Sequence, residues 1–306
     1  MTCSSDISAT HPPLTLLDSW LEAEETCNAG PPRYCHLLFR QRDDVDPAVW
    51  DELYAYIDHA HDGARRTLRA PLGDSLHPLH HGTEADPAFG YPHMFCDTAL
   101  QGFFGEIVAG IVAEYYAGDG EHEWEVPVYL FRTHVVAFQQ LELMKQTDNW
   151  ERQIVGRTGD DGLAFARDAN GHIVAWLACE AKCTRTHSST LIGENHEKLS
   201  QAVSRPIDLL RVISALKDYC DDDYSRGWVT ALRRYWWEHA RSTSANRCDL
   251  SMYVCGACPK TKATWVPTHE PHDKYTASRV LTSAELHLPG VEDVIRSLYE
   301  RMDGST

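Results

Sequence analysis

The stretch from residue 159 to residue 182, GDDGLAFARDANGHIVAWLACEAK, predicts a β-hairpin at the centre of the fold. Its Asn170–Gly171 pair is a strong short-range signal for a β-hairpin and separates two apolar runs. We therefore predict strands over Leu163–Arg167 and His172–Lys182. Both faces of the second strand are apolar until its last residues, which indicates a strand buried within a sheet.

Three charged side chains are expected to meet at the end of this hairpin. Glu180 and Lys182 share one face of the second strand, because side chains alternate along a strand. Antiparallel pairing sets Asp161, at the start of the first strand, beside them. We prefer Asp161 to Asp160 because it directly precedes Gly162 and shares a face with the apolar residues that follow. Two carboxylates suit Mg²⁺ or Mn²⁺. The alternative is a simple ion pair at a strand end.

A helix is predicted upstream, where apolar residues recur at helical spacing from Leu100 to Tyr115. Its opposite face carries small residues, including Gly105 and Gly110, so this helix can be packed on both sides. Glu106 would then lie in a close-packed crevice, where a carboxylate without a role is costly. The alternative is an exposed glutamate on a glycine-rich helix.

The other segments alternate between strand-like and helix-like patterns, which favours an α/β or α+β fold. Strands are predicted at Tyr34–Arg40, Pro127–Arg132, Ser251–Cys255 and Ser278–Leu288, and helices at Pro47–His61, Leu199–Tyr219, Trp228–Arg241 and Gly290–Met302. We expect an N-terminal region over residues 1–95, packed on a core domain over residues 96–306.

The composition places the chain among ordinary globular proteins, with 43% hydrophobic and 24% charged residues. No apolar run approaches the length that spans a bilayer, and the first residues lack the pattern of a signal peptide. We therefore expect a cytoplasmic protein without a membrane partner. Its ten cysteines are scattered, so reduced thiols are the better interpretation. A zinc site at Cys248, Cys255 and Cys258 is the less favoured alternative.

Several short motifs resemble the PD-(D/E)XK nuclease superfamily: Asp161, Glu180-Ala181-Lys182, and the upstream helix that carries Glu106. More narrowly, the chain resembles the nuclease subunit of Hachiman anti-phage defence systems over about residues 96 to 302. That resemblance is carried by Gly105-Glu106-Ile107, Gly159-Asp160-Asp161-Gly162, Glu180-Ala181-Lys182 and Glu285-Leu286-His287-Leu288 with Leu298-Tyr299. The superfamily's proline before the aspartate is missing here, and the segment from Tyr129 to Gly156 is unusually long.

The resemblance implies a restriction-endonuclease-like fold, in which helices flank a central mixed sheet, here with an N-terminal extension. It implies an Mg²⁺-dependent or Mn²⁺-dependent deoxyribonuclease. The metal ligands would be Asp161, Glu180, the backbone carbonyl of Ala181 and the carboxylate of Glu106, with Lys182 as the catalytic cation. In that family the nuclease subunit pairs with a helicase, so a helicase or ATPase partner is expected as well.

The charge of the chain bears on this partner, because 28 basic against 45 acidic residues leave a formal net charge of −17. A net acidic protein is repelled by phosphate backbones at long range. Either a local basic patch overrides this repulsion or a partner protein supplies the affinity for DNA. One stretch interleaves cations with aromatic rings and is a candidate nucleic-acid contact. Its candidate residues are Arg226, Arg233, Arg234, Trp236 and Arg241. An amphipathic helix with core aromatics and locally paired arginines predicts the same pattern.

Two other functions compete with the nuclease. The first is a non-catalytic interaction or regulatory subunit on a nuclease-like fold, since a fold does not determine function. A degraded site would normally have lost one of Asp161, Glu180 and Lys182, and all three are present. The second is a cysteine hydrolase that uses Cys179 or Cys183 with a nearby histidine, but no nucleophile motif surrounds either thiol.

Overall fold

A computed structural model describes residues 11–28, 30, 32–69, 88–117, 122–131, 161–201, 206, 208–219, 222–239 and 246–303 of the chain. Its strands are β1 (Leu21–Cys27), β2 (Tyr34–Gln41), β3 (Gly162–Arg167), β4 (Ile173–Thr184), β5 (Asn246–Cys255) and β6 (Leu281–His287). Its helices are α1 (Leu17–Trp20), α2 (Ala48–Arg69), α3 (Asp97–Tyr115), α4 (Ser189–Ser200), α5 (Leu209–Tyr219), α6 (Asp223–His239) and α7 (Val291–Asp303).

The six strands form one mixed sheet in the order β1-β2-β6-β5-β4-β3. Strands β2, β6, β5 and β4 run parallel to their neighbours, and the two edge strands pair antiparallel. The predicted hairpin is confirmed, since β3 pairs with β4 and Gly162 lies opposite Cys179. The mixed α/β architecture, with helices flanking a central sheet, is confirmed as well.

Helices cover both faces of the sheet, because its central strands are apolar on both sides. On one face, α1, α2, α3 and α7 share a core with inward-facing residues such as Leu177 and Leu286. On the other face, α5 and α6 pack with the end of α4 around residues such as Trp176 and Phe165. Within the described residues, no helix combines the length and the apolar character that a membrane span requires.

Helix α3 is buried on nearly all sides, as its pattern of apolar and small residues predicts. A Cβ atom at Gly105 would lie 3.2 Å from Cβ of Cys183, so this side of the helix sits directly on β4. At Gly110, an added Cβ would lie 1.8 Å from the hydroxyl of Tyr129. That hydroxyl donates a hydrogen bond to the Ile107 carbonyl, so Gly110 makes room for the ring that ties residues 122–131 to α3.

The N-terminal region belongs to the same sheet as the segments that follow it. Strand β2, predicted from the sequence, pairs along its length with β6, where Tyr34 lies opposite Leu281. Strand β1 was not predicted, because four successive residues from Glu22 to Glu25 are exposed and provide no core pattern. The expected boundary at residue 95 therefore lies between segments that share one continuous sheet.

Two other predictions of secondary structure are wrong. The helix predicted over Leu199–Tyr219 is interrupted, because α4 ends at Ser200 and α5 begins only at Leu209, after Pro206. The strand predicted over Pro127–Arg132 is absent from the described residues 122–131, where one isolated bridge links Glu125 to β3. Pro127 has no N–H to donate to a ladder.

The expectation that every thiol is reduced is wrong for Cys27 and Cys35, which form a disulfide. The antiparallel register of β1 and β2 places these two residues directly opposite each other, a relation that depends on the pairing of the strands. Glu25 lies close to both sulfurs, but their bond leaves no thiolate for a metal. Cys255 is buried and Cys258 is exposed, and both are free thiols, whereas Cys248 is buried.

A buried carboxylate anchors the long connection between β5 and β6. Glu285 is fully buried and accepts hydrogen bonds from His36 at 3.0 Å, His287 at 3.3 Å and the Trp265 amide at 3.0 Å. Burial opposes ionisation of this carboxyl, but the three hydrogen bonds outweigh it and hold its pKa below the ordinary value. The ionised carboxylate therefore joins β2, β6 and the connection.

We expect Glu285→Ala to lower the free energy of unfolding by about 3 kcal/mol, because it leaves buried donors without their acceptor. Because the folded pKa of Glu285 is depressed, its contribution is present above the ordinary pKa and lost as the pH falls through the folded value. Urea denaturation across an acidic pH series measures both effects. Glu22→Ala, at an exposed position of β1, is the control and should change stability by less than about 0.5 kcal/mol. Equal losses in the two variants would contradict the anchoring role.

Candidate active site

The hairpin holds Asp161 against the end of β4. Its backbone N–H donates to the Cys179 carbonyl at 3.1 Å, which extends the ladder one residue beyond Gly162. Its side-chain Oδ2 accepts a hydrogen bond from the Ala181 amide, also at 3.1 Å. Because Asp161 is followed by Leu163 and Phe165, which pack on the α5 and α6 face, its carboxylate lies on the same face as Glu180.

Two lysines contact the carboxylate of Glu180. Lys182 Nζ lies 3.0 Å from Oε1, and Lys198 Nζ lies 2.5 Å from Oε2. The ammonium of Lys198 also lies 3.5 Å from Oδ1 of Asp161, so it bridges the two acids. The carboxylate side chains are 0% and 2% exposed, whereas the lysine side chains are 24% and 32% exposed. The carboxylates therefore lie at the buried end of the site, and the lysine side chains lie nearer to solvent.

Helix α4 positions Lys198. It begins after Ser188, whose side chain accepts a hydrogen bond from the Leu191 amide as a helix cap. Ile192, Asn195 and Leu199 are buried at helical spacing, so this face lies on the sheet. The Asn195 amide nitrogen lies 3.0 Å from the Glu180 carbonyl and 3.1 Å from the Met252 carbonyl. This buried contact joins α4 to β4 and β5 and sets the height of Lys198 above the carboxylates.

The pKa of Glu180 is raised to about 7. Burial is the largest cause, and the neighbouring negative charge of Asp161 is the next. The positive charges of Lys198 and Lys182 act in the opposite direction without cancelling these effects. A divalent cation would relieve the repulsion between these two buried acids.

The residues fit such a cation. The position of Lys198 Nζ shows that one positive group can contact both Asp161 and Glu180. A divalent ion at that place would have two carboxylate ligands, which suits Mg²⁺ or Mn²⁺ with water in its other positions. Its binding would require the ammonium of Lys198 to turn away from the acids.

Glu106 is buried on α3, but its carboxylate does not join the two acids in a cluster. Within the described residues, the oxygens of Glu106, Asp161 and Glu180 do not all lie within 4.8 Å of one another. Helix α3 packs on the sheet face that carries Ala181 and Cys183, whereas Glu180 points to the face covered by α4. A third ligand at Glu106 therefore stays a prediction, as does the Ala181 carbonyl.

Of the four arginines predicted to bind nucleic acid, three lie on α6, and two of these form ion pairs with local acids. Arg226 and Arg234 form ion pairs with acids of the same helix at 2.5 Å and 2.7 Å. Arg233 is exposed, and Arg241 lies outside the described residues. These contacts match the amphipathic alternative, in which the arginines pair with local acids.

The aromatic residues of the same helix also match that alternative. Trp228 and Tyr235 are buried in the core, and Trp236 packs against it. Trp237 is 71% exposed and was not among the predicted contacts. Binding of nucleic acid along α6 stays a prediction.

The two cysteines considered as nucleophiles lie on β4 but face away from Lys182. Cys179 is buried in the core beside α3, and Cys183 packs against Gly105. Burial raises the pKa of the Cys183 thiol, which opposes formation of the reactive thiolate. The geometry therefore gives no support to a cysteine hydrolase.

Lys198 was missed at the level of the sequence, although a signal for its helix is present. Ser188 is a good cap residue, and apolar or buried positions recur at Ile192, Asn195 and Leu199. That pattern places a helix before Ser200, yet it does not indicate which strand the helix contacts. The bridge to two acids depends on that tertiary contact.

Comparison of the chain with protein-family models and with curated proteins finds no match. The geometry of the site and the motifs of the sequence are therefore the basis on which a function is inferred.

The raised pKa of Glu180 predicts a pH dependence of stability. Because the folded pKa of about 7 exceeds the ordinary value of 4.5, protonation favours the folded state. The contribution of Glu180 is full below 4.5 and is lost as the pH rises to about 7. In EDTA, urea denaturation should show that stability falls through this window more steeply for the unmodified chain than for Glu180→Gln. Parallel pH profiles for the two proteins would show that folding does not raise the pKa of Glu180.

Proposed function

We propose that this chain is a metal-dependent nuclease that cleaves phosphodiester bonds of DNA. The observation that carries the proposal is the convergence of two buried carboxylates, Asp161 and Glu180, with Lys182 and Lys198 at the mouth of the same site. The motif resemblance to PD-(D/E)XK nucleases supports it, because Asp161 and Glu180-Ala181-Lys182 supply the residue types that such chemistry requires. Incubation of the chain with a plasmid, with Mg²⁺ or with EDTA, tests it directly.

The two acids would bind the metal, whereas the two lysines would act on the substrate. Asp161 and Glu180 would hold Mg²⁺, which when bound neutralises charge at the scissile phosphate and lowers the pKa of water. Lys182 is 24% exposed on the side chain, so its ammonium can reach an attacking water or a phosphate oxygen above Glu180. A cation held by Asp161 and Glu180 would displace the ammonium of Lys198, which would then be available to the phosphate.

The proposal includes a partner. With a net charge of −17, the chain repels DNA at long range, so a helicase or other ATPase subunit would supply most of the affinity. An effector of an anti-phage defence complex, working in the cytoplasm beside such a helicase, is the setting that the resemblance to Hachiman nucleases implies. The plasmid assay is therefore run with the chain alone and with any helicase encoded beside it.

Measurements of metal binding should distinguish the roles of the two acids from the role of Lys198, which bridges them. Calorimetry with Mg²⁺ or Mn²⁺ should show weaker binding in Asp161→Asn and Glu180→Gln, because each loses a charged ligand. Lys198→Met should bind the metal more tightly, because the competing ammonium is gone.

Thermal melting provides a second readout of the same competition. Without metal, Lys198→Met should be less stable than the unmodified chain, because two buried acids lose their shared counter-ion. Added Mg²⁺ should raise its melting temperature by more than it raises that of the unmodified chain. Unchanged binding in both acid variants would remove Asp161 and Glu180 as ligands.

Lys182 should affect chemistry without affecting the fold. Lys182→Ala should reduce cleavage by about a hundredfold to a thousandfold, as for the loss of a preorganised cationic contact. Metal affinity should fall less than in the acid variants. Lys217→Ala, at an exposed lysine of α5, is the matched control and should cleave at the rate of the unmodified chain. A stable and fully active Lys182→Ala protein would exclude the proposed mechanism.

A further inference from the structure

A second polar site lies at the opposite end of α4 from Lys198. It is a cavity of about 320 Å³ between the first turns of α4 and the connection from β5 to β6. Its lining includes His187, Ser189 and Ile192 on one side and Lys260, Lys262 and Trp265 on the other. A space of this size can hold a phosphate group together with part of a sugar or a base.

The cavity is basic within an acidic protein. Lys260 and Lys262 are both exposed, and within the part of the chain that the structure describes neither forms an ion pair. By contrast, Lys182, Lys198 and Lys274 each contact a carboxylate. Two ammonium groups on the rim of one cavity have charge available for a ligand, and an anion is the ligand they favour.

The buried acid next to Trp265 is paired with other groups and not with these lysines. Glu285 lies behind Trp265, and its carboxylate accepts from the Trp265 amide and from His36 and His287. Glu197, on α4, contacts Lys274 at 2.8 Å. Both carboxylates thus have cationic or N–H partners of their own, and neither forms an ion pair with Lys260 or Lys262.

One wall of the cavity offers a flat surface. The ring of His187 stacks on Trp265 with centroids 4.5 Å apart and planes 10° apart. Burial lowers the pKa of His187, so this ring is neutral at pH 7 and acts as a stacking surface rather than as a cation. Aromatic rings beside lysines are the combination with which proteins hold single-stranded nucleic acid, since the rings contact bases and the cations contact phosphates.

The cavity is coupled to the carboxylate pair through two elements. Ile192 lines the cavity, and Asn195, three residues or about 4.5 Å farther along the axis of α4, contacts the Glu180 carbonyl. Across the sheet, Tyr253 is the β5 neighbour of Lys182, and its hydroxyl accepts from the Ser188 amide beside the cavity. The cavity and the carboxylate pair are therefore linked through α4 and through the pairing of β4 with β5.

We propose that this cavity binds a phosphate of the nucleic-acid strand that is being cleaved, with Lys260 and Lys262 on the phosphate oxygens and the His187–Trp265 pair beside the adjoining base. The assignment rests on the proposed nuclease function for its ligand class, but it concerns a separate set of residues. The cavity would hold the strand a few nucleotides from the bond that is cut, so that the scissile phosphate lies over Asp161 and Glu180.

The test uses the intact chain and a short, fluorescein-labelled, single-stranded oligodeoxynucleotide in EDTA, so that cleavage cannot remove the probe. Fluorescence anisotropy is measured over a salt series for Lys260→Glu, Lys262→Glu and the control Lys217→Glu, which makes the same charge change on α5. The dissociation constant should rise about tenfold in each cavity variant. The slope of log affinity against log salt concentration should become shallower by about the amount that one phosphate contact contributes. Lys217→Glu should bind as the unmodified chain does, and all proteins should melt at similar temperatures.

The outcomes separate this proposal from the nuclease assignment. Equal affinities in the cavity variants and the control, or no binding by the unmodified chain, would overturn the strand site even if Mg²⁺-dependent cleavage is observed. Lost affinity in the cavity variants supports it even if no cleavage is found. A parallel titration with deoxyadenosine monophosphate distinguishes the source of the phosphate. Binding of the mononucleotide that depends on Lys262, without binding of the oligonucleotide, would assign the cavity to a free nucleotide and overturn the strand.

Discussion

Two carboxylates that are closed off from water stand beside each other in this protein, and their mutual repulsion is the constraint to which the surrounding structure responds. Asp161 and Glu180 face the same space, and one ammonium, that of Lys198, contacts both of them. A buried pair of like charges is tolerated only when opposite charges and hydrogen bonds compensate it. Helix α4 and the end of β4 provide that compensation.

The compensation links distant parts of the chain. Asn195 joins α4 to the Glu180 and Met252 carbonyls, so the helix that carries Lys198 is fixed to the two strands beneath it. The first turns of the same helix border the basic cavity, and Tyr253 ties that end to the sheet. Helix α4 therefore carries Lys198 near one end and borders the basic cavity at the other. A substitution at Asn195 would remove the buried contacts that fix α4, and with it Lys198, to β4 and β5.

The strong local signals of the sequence account for the hairpin, for α3 and for the charged residues at the end of β4. Asn170 and Gly171 predict the turn, and alternation along β4 predicts that Glu180 and Lys182 share a face. These features depend on neighbours in the chain, which a sequence displays directly. The bridge from Lys198, the Cys27–Cys35 disulfide and the edge strand β1 depend on which elements meet in space. Their own segments carry exposed or weakly patterned residues, so local reasoning could not place them. Glu106 illustrates the same limit: its burial follows from the pattern of α3, but its relation to the acids depends on which face of the sheet that helix covers.

The position of β2 has a consequence for how the chain reaches its native state. Residues 34–40 lie within the first seventh of the chain, yet they pair with residues 281–287, close to its end. Until β6 emerges from the ribosome, the hairpin of β1 and β2 has no partner on its inner edge, and an apolar strand remains open to other chains. Contacts of such long sequence separation slow folding, because the intervening loop must be closed before they stabilise the fold. The sheet is therefore completed only once residues 281–287 have been synthesised, and until then the hairpin of β1 and β2 needs protection from aggregation.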